Sequence, residues 1–149
     1  MRFVKLTVIS AIIFFIILLV ISLWIPFHIR ISRAININEP KVEIYKLVGN
    51  LEEWKKWNEM IGKGVAVSII FSSTDSVISV WNKKNSDEVR SGFNLIESSP
   101  AVSVVQWYFD FHLKWYPWEK LKSILYDKQL GPPMEKSLQN LKNLVEKNP

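Results

Sequence analysis

Few side chains in this 149-residue sequence are of types that do chemistry, and those few are scattered along the chain. There is no cysteine, which excludes disulfides, thiolate metal sites and cysteine nucleophiles. The two histidines, His28 and His112, are expected to lie far apart, and no HExxH or DxDxDG pattern accompanies them. We therefore predict no metal site and no cofactor.

Asp110 is the carboxylate that comes nearest to an acid–base candidate, because it is a strand residue among aromatic neighbours. A general acid or base needs a side chain whose pKa is tuned by burial. The alternation of its strand places Asp110 and His112 on the face that we expect to be wet. The sequence also lacks a glycine-rich phosphate loop and a Gly-x-Ser-x-Gly elbow. We predict no catalytic residues and no enzymatic activity.

Aromatic residues are the more informative group, since seven Trp and eight Phe are many for this length. Pockets for apolar ligands are lined mainly by such side chains. The same rings can instead fill a core, where each buries a large area, and both interpretations stay open here. The candidates for lining a ligand cavity are Trp57, Phe71, Trp81, Phe93, Trp107, Phe109, Phe111 and Trp118.

The segment from Thr7 to Phe27 carries no charge and predicts a transmembrane helix. Roughly 20 apolar residues span a hydrocarbon core as a helix, which satisfies every backbone amide internally. Trp24 lies near one end, where tryptophan favours the membrane interface. A cleaved signal peptide is the rival interpretation, but its apolar region would be shorter, and the nearest small-x-small site is Ser32-Arg33-Ala34. We predict an uncleaved anchor over residues 1–28 and one domain over residues 29–149.

The charge distribution favours a domain outside the cytoplasm and argues against nucleic acid as a partner. Arg2 and Lys5 precede the apolar helix, which slightly favours a cytoplasmic N-terminus and a bacterial inner-membrane protein with a periplasmic domain. The formal charge is +5, but the basic residues are scattered and form no nucleic-acid patch. Lysines such as Lys41, Lys46 and Lys55 could meet lipid head groups or simply keep the surface soluble.

Beyond the anchor, apolar and polar residues alternate with the period of β-strands that have one wet face. Val102 and Val104 fall out of phase with Trp107, which predicts a bulge near Val105. Residues 73–76 and 82–86 are predicted turns. The predicted strands are 29–37, 65–72, 77–81, 89–97 and 102–115.

Helical periodicity appears in the segments between and after these strands. Two short helices are predicted over 42–48 and 51–60, and another helix opens at Pro117, a residue favoured at a first helical position. Trp118, Leu121 and Leu125 would face the sheet. Gly131-Pro132-Pro133 is expected to interrupt this helix before an apolar stripe continues to the C-terminus.

This order, with particular stretches of sequence, resembles the START-like (SRPBCC) superfamily, in its membrane-anchored bacterial branch often called polyketide-cyclase-like. Residues 33–40 resemble the first strand and its proline exit, and residues 42–58, with Trp54 and Trp57 as a W-x-x-W pair, look like the paired helices. Trp118-Glu119-Lys120 and residues 130–141 look like the C-terminal helix.

The resemblance implies an α+β helix-grip fold, in which a curved antiparallel sheet wraps a long C-terminal helix around an apolar cavity. The family binds small hydrophobic molecules, and some members act on them. The segment between Trp57 and Trp107 is short for the family's seven-strand sheet, so we expect one hairpin to be shortened or missing. A shorter sheet would also leave less room for a cavity.

Three hypotheses for function follow. The first is a membrane-tethered domain that binds a small hydrophobic or lipid-like ligand, and an open cavity behind Trp107 and Phe111 would favour it. The alternative is a non-catalytic structural or interaction domain that binds a protein partner, and a packed interior would favour it. The third is an enzyme acting on an apolar substrate, which a buried Asp110 would favour.

Overall fold

The order of elements in the computed structural model follows the sequence pattern, with one helix before the sheet and one long helix after it. The structure describes residues 2–62, 64–83 and 87–147. The elements are α1 (Arg2–Trp24), β1 (His28–Ile37), α2 (Lys41–Val48), α3 (Trp54–Trp57), β2 (Val65–Ser72), β3 (Ser76–Lys83), β4 (Val89–Ser99), β5 (Val102–His112), α4 (Pro117–Ser123) and α5 (Tyr126–Glu146).

The five strands form one antiparallel sheet in the order β1-β5-β4-β3-β2. The first strand therefore pairs with the last, with His28 opposite His112 and Ile37 opposite Ser103. α5 packs across β1 and closes the inner face of the sheet. This arrangement confirms the α+β helix-grip prediction, and five strands in place of seven agree with the expected shortening.

Strand β5 alternates without interruption, so the predicted bulge near Val105 is wrong. Val105 and Trp107 point inward, while Val102 and Val104 are partly exposed on the outer face. Ser103 can face inward because its hydroxyl donates to the carbonyl of Glu39 (2.9 Å). The pairing irregularities lie elsewhere, at Ile69/Phe71 and Glu97/Ser99.

Helix α5 runs through Pro132 and Pro133, so the predicted interruption there is also wrong. The two prolines remove amides that would otherwise bond to the carbonyls of Lys128 and Gln129. Both of those residues are exposed, so water can satisfy their carbonyls. The chain instead breaks its helix between Ser123 and Tyr126. Of the predicted turn over 82–86, Asn82 and Lys83 belong to β3, and 84–86 lie outside the described residues.

Helix α1 is, within the described ranges, the one helix long and apolar enough to cross a membrane. A signal sequence passes the same test of length and composition. The rest of the chain covers little of α1, since only 6% of its most apolar window is buried. In a helix that lies in a protein core, most of such a window would be buried.

Candidate functional site

The interior between the sheet and α5 is filled by aromatic rings around Trp107. Phe93 stacks on Trp107 with 5.0 Å between ring centroids, and Phe109 lies at 5.3 Å. Trp81 and Trp57 complete the ring contacts at 6.2 and 6.3 Å. The linings of three concavities in the described part of the chain include neither Trp57 nor Trp107. The contacts among these rings place side chains in the space behind Trp107.

Serines on the inner faces of the strands satisfy the buried indoles. Trp107 donates its Nε1–H to Ser91 Oγ (2.8 Å), and Trp81 donates to Ser79 Oγ (3.0 Å). A buried donor without an acceptor lowers the stability of the fold, so each of these serines stabilises the large ring beside it by accepting its hydrogen bond. Trp57 differs, because its Nε1–H has no acceptor among the described residues.

The structure divides the eight candidate cavity residues into three groups. Five are buried on the inner side as predicted, and Phe111 is partly buried at the edge of their cluster. For the other two the predicted inward position is wrong, since Phe71 is 51% exposed and Trp118 is 56% exposed. Contact of these residues with a ligand stays a prediction. The buried five are Trp57, Trp81, Phe93, Trp107 and Phe109.

Two local features explain why Phe71 and Trp118 point away from the core. The pairing irregularity between Ile69 and Phe71 places Phe71 opposite Ile78, a residue of the outer face. From Phe71 onward the side chains that would have pointed inward therefore point outward. Trp118 lies on α4, which packs on α1 rather than on the sheet. Leu125, also predicted to face the sheet, is 50% exposed.

A concavity of about 590 Å³ opens at the end of β1, β4 and β5 where the chain leaves α1, and we call it the mouth. Its volume is in the range of small-molecule sites. Apolar Ile29 and Phe111 lie on one side. The polar lining residues are His28, Arg30, Glu88, Arg90, Asp110 and His112.

Arg30 contacts a carboxylate and an aromatic ring in the mouth. Its Nε and Nη2 donate to the two carboxylate oxygens of Asp110 at 2.6 and 2.8 Å. The guanidinium also lies 4.2 Å from the ring centroid of Tyr108. Tyr108 in turn covers Gly92, where any Cβ would overlap its ring. The hydrogen bond to Asp110 is the main cause of the raised pKa of Arg30, so Arg30 stays charged.

His28 and His112 are neighbours, which corrects the expectation that they lie far apart. Their Nδ1 atoms are 3.2 Å apart and their ring centroids 4.3 Å apart. The antiparallel pairing of β1 with β5 brings them together from the first and the last strand of the sheet. Two imidazoles supply two ligands, and no group of three or more metal-binding side chains was found in the described ranges.

Sequence reasoning missed the mouth as a site, although a signal for it exists. The same register that pairs His28 with His112 pairs Arg30 with Asp110, and β4 adds Arg90 opposite Asp110. Strand phase alone puts these residues on the outer face. Once the first and last strands of a helix grip are taken as neighbours, the row Arg30, Asp110, Arg90 could have been predicted.

Comparison with known proteins identifies the fold. No family model and no curated protein matches the chain. A START superfamily protein from Mycobacterium smegmatis aligns with a TM-score of 0.60 at 15% identity, over 80% of this chain and 98% of its own. The Zhui aromatase/cyclase from Streptomyces sp. R1128 aligns with a TM-score of 0.55 at 6% identity, over 80% and 94%.

A third similar structure is the di-domain aromatase/cyclase StfQ from the steffimycin biosynthetic pathway. It aligns with a TM-score of 0.63 at 8% identity, over 81% of this chain and 52% of its own length. At such identities the likeness establishes the fold. These matches confirm the START-like, polyketide-cyclase-like fold that the resemblance predicted.

Proposed function

We propose that this START-like helix grip is tethered to a membrane by α1 and binds one amphipathic, lipid-like molecule at the mouth, without catalysis. The observation that supports this most is the composition of the mouth, where Ile29 and Phe111 lie beside Arg30 and Arg90 in a space of about 590 Å³. An amphiphile presents the same combination of an apolar part and a polar head.

The geometry of α1 supports the tether. Its apolar stretch, Phe3–Trp24, would be roughly 33 Å long, enough to cross a bilayer. Cleavage at the small-x-small site would remove His28–Ala34, most of β1, from the sheet. We propose residues 1–28 as the tether and 29–149 as the domain, with a periplasmic domain at a bacterial inner membrane as the location.

The mouth would lie close to the bilayer in this arrangement. β1 begins four positions after the last residue of α1, and the amide of Leu113 donates to the carbonyl of Phe27 (2.7 Å). The end of the sheet that carries the mouth therefore faces α1. A lipid-like ligand would reach the mouth from the membrane without crossing water.

The charges of the mouth favour a head group of mixed or no net charge. Arg30 and Arg90 are accompanied by Asp110 and Glu88, and Asp110 is bound by Arg30 through both oxygens. A strongly anionic head would meet two carboxylates as well as two guanidiniums. A zwitterionic head group, or an uncharged one rich in hydroxyls, would find partners for each of its polar atoms.

The packed interior favours a second candidate, a non-catalytic interaction domain that binds a protein partner. The rings behind Trp107 leave their usual cavity filled, so the fold could serve as a rigid scaffold. The names of the aromatase/cyclase structures raise catalysis as a third candidate. Asp110 is a poor general base, because Arg30 already occupies both of its oxygens.

The test is native mass spectrometry, with lipid extraction, of the full chain purified in mild detergent, as wild type, Arg90→Ala and Lys55→Ala. Both side chains are exposed, so neither change should unfold the domain. We expect a stoichiometric amphiphile in the wild type and the Lys55 variant, and its loss in the Arg90 variant. A clean apo mass with no thermal shift across a lipid panel would favour the interaction domain. Equal retention in all three would place the ligand outside the mouth.

A further inference from the structure

Helix α4 buries polar side chains and exposes apolar ones. Its buried residues are Pro117, Lys120 and Ser123, whereas Trp118 is 56% exposed and Ile124, just after it, 61% exposed. A helix on the surface of a soluble protein shows the reverse pattern. Such an arrangement is stable when the outward face meets an apolar phase rather than water.

Lys120 fastens α4 to the end of α1. Its Nζ donates to the carbonyl of Ser22 (3.0 Å) and lies 3.8 Å from the centroid of the Phe27 ring. Ser22 is in the last turn of α1, where its carbonyl also accepts from the amide of Ile25 (3.3 Å) and the helix dipole favours a cation. Lys120 is only 2% exposed. A buried lysine at this place fixes α4 beside the point where α1 ends.

Exposed and partly exposed apolar residues lie around this contact, at the end of α1 and along residues 115–125, and we call this set the aromatic platform. The rings of Tyr116 and Trp118 stack at 5.1 Å, and Trp115 contacts Tyr116 at 4.9 Å. Contiguous exposed apolar surface marks an interaction site. The platform consists of Leu23, Trp24, Phe27, Trp115, Tyr116, Trp118, Ile124 and Leu125.

We propose that the aromatic platform is a second membrane contact, which lies in the head-group layer of the bilayer that α1 crosses. Three observations select lipid as the occupant: the platform is continuous with the end of α1, it is rich in Trp and Tyr, which favour that layer, and the exposed cations Lys122 and Lys128 lie within three positions of Leu125 in the sequence. The inference rests on the tether of the proposed function and adds that the domain is held in one orientation, with the mouth against the membrane.

The absence of cysteine makes the test clean, because one introduced cysteine carries one spin label. The full chain is reconstituted in phosphatidylcholine nanodiscs as Ile13→Cys in α1, Trp118→Cys in the platform and Lys55→Cys on α3. Electron paramagnetic resonance then measures how accessible each label is to oxygen, which concentrates in lipid, and to a water-soluble nickel complex. We expect an oxygen-to-nickel ratio several-fold higher at positions 13 and 118 than at position 55.

The outcomes separate the platform from the tether. A lipid-exposed label at 13 with a water-exposed label at 118 would overturn the platform and leave the tether standing. Water exposure at 13 would overturn the tether itself. A label at 118 that is shielded from both reagents would show that protein covers the platform, either a second copy or a partner, and would also overturn the proposal.

Discussion

At the scale of single residues, Arg33 explains how α5 stays in place across its two prolines. Arg33 lies on the inner face of β1, and its guanidinium reaches Asp127 (2.9 Å) and Glu135 (2.6 Å), which lie on either side of Gly131. The hydrogen bond to Glu135 is the main cause of the raised pKa of Arg33. A Cβ at position 131 would overlap the guanidinium, so any larger residue there would have to displace the Arg33 side chain. One side chain thus joins the first strand to both halves of the helix.

Gly131→Ala tests this contact. In an ordinary helix the change would stabilise by about 1 kcal/mol, because alanine has the higher helix propensity. Here we expect the opposite sign, since the added methyl group would displace Arg33 from Asp127 and Glu135. In an Arg33→Ala background the normal stabilisation should return. Unfolding free energies of the four proteins form a double-mutant cycle, and the same sign in both backgrounds would contradict the interpretation.

Ser91→Ala tests the pairing of small polar residues with buried indoles. Ser91 Oγ accepts from Trp107 and donates to the carbonyl of Tyr108 (2.9 Å). Its loss leaves the Trp107 N–H buried and unpaired, so we expect unfolding to become easier by about 1–3 kcal/mol. Ser68→Ala, at an exposed position of β2, is the matched control and should change stability by less than about 0.5 kcal/mol. Equal effects would mean that the hydrogen bond does not contribute.

At the scale of elements, each short helix is positioned by side chains rather than by its own caps. Helix α3 has no side-chain cap, and it is tied to α2 through Trp54, whose indole donates to the carbonyl of Val48 (2.7 Å). The residues that follow α3 are joined to α5, because Ser137 accepts from the amide of Glu59 (3.1 Å). The helices therefore depend on the tertiary structure for their stability.

The link between Glu59 and α5 should make stability depend on pH. The carboxylate binds Lys136 (2.9 Å), and this hydrogen bond lowers the pKa of Glu59 below its ordinary value of 4.5. Because the folded pKa is the lower one, the stabilisation is present above about pH 4.5 and is lost as the pH falls through the folded value. We expect Glu59→Gln to reduce the loss of unfolding free energy between about pH 5 and lower pH. Glu52→Gln, at an exposed turn, should leave that pH dependence unchanged. Identical curves would refute the link.

At the scale of the whole molecule, the interior of the helix grip is packed and its main concavity lies at one end of the sheet. The interior, which the fold commonly leaves open, is filled by rings, and the opening lies at the end of the sheet beside α1. The sheet has five strands, and the large rings on its inner face supply much of the buried apolar area of the core. In the proposed function, the ligand therefore binds at the edge of the sheet beside α1 rather than in the interior.

A ligand bound at the mouth should stabilise the folded chain by mass action. At a free concentration of 100 times its Kd, it would add about 2.7 kcal/mol to the free energy of unfolding. We expect this for a zwitterionic amphiphile with the wild-type chain, and a clear loss with Arg90→Ala. Titration in mixed micelles with a spectroscopic readout of unfolding measures both. Equal stabilisation of the variant would exclude the mouth as the binding site.

Most of the elements, and the inner face of β5, could be predicted from the sequence. The uncharged run over 7–27 predicts a helix, and the phase of Trp107 and Phe109 predicts an inner face, because alternation and apolar length are local properties of the chain. The resemblance supplied the topology. The bulge near Val105, the break at Pro132 and the inward orientation of Phe71 and Trp118 were wrong, because each depends on what lies opposite the residue.

Only the tertiary structure decided where the residues of the candidate site meet. His28 and His112 are 84 positions apart in sequence, and the register of β1 on β5 places their Nδ1 atoms 3.2 Å apart. Lys120 looks like a surface lysine in the sequence, but it is buried against Ser22 at the end of α1. Strand register and helix packing are properties of paired elements, and no single segment encodes them.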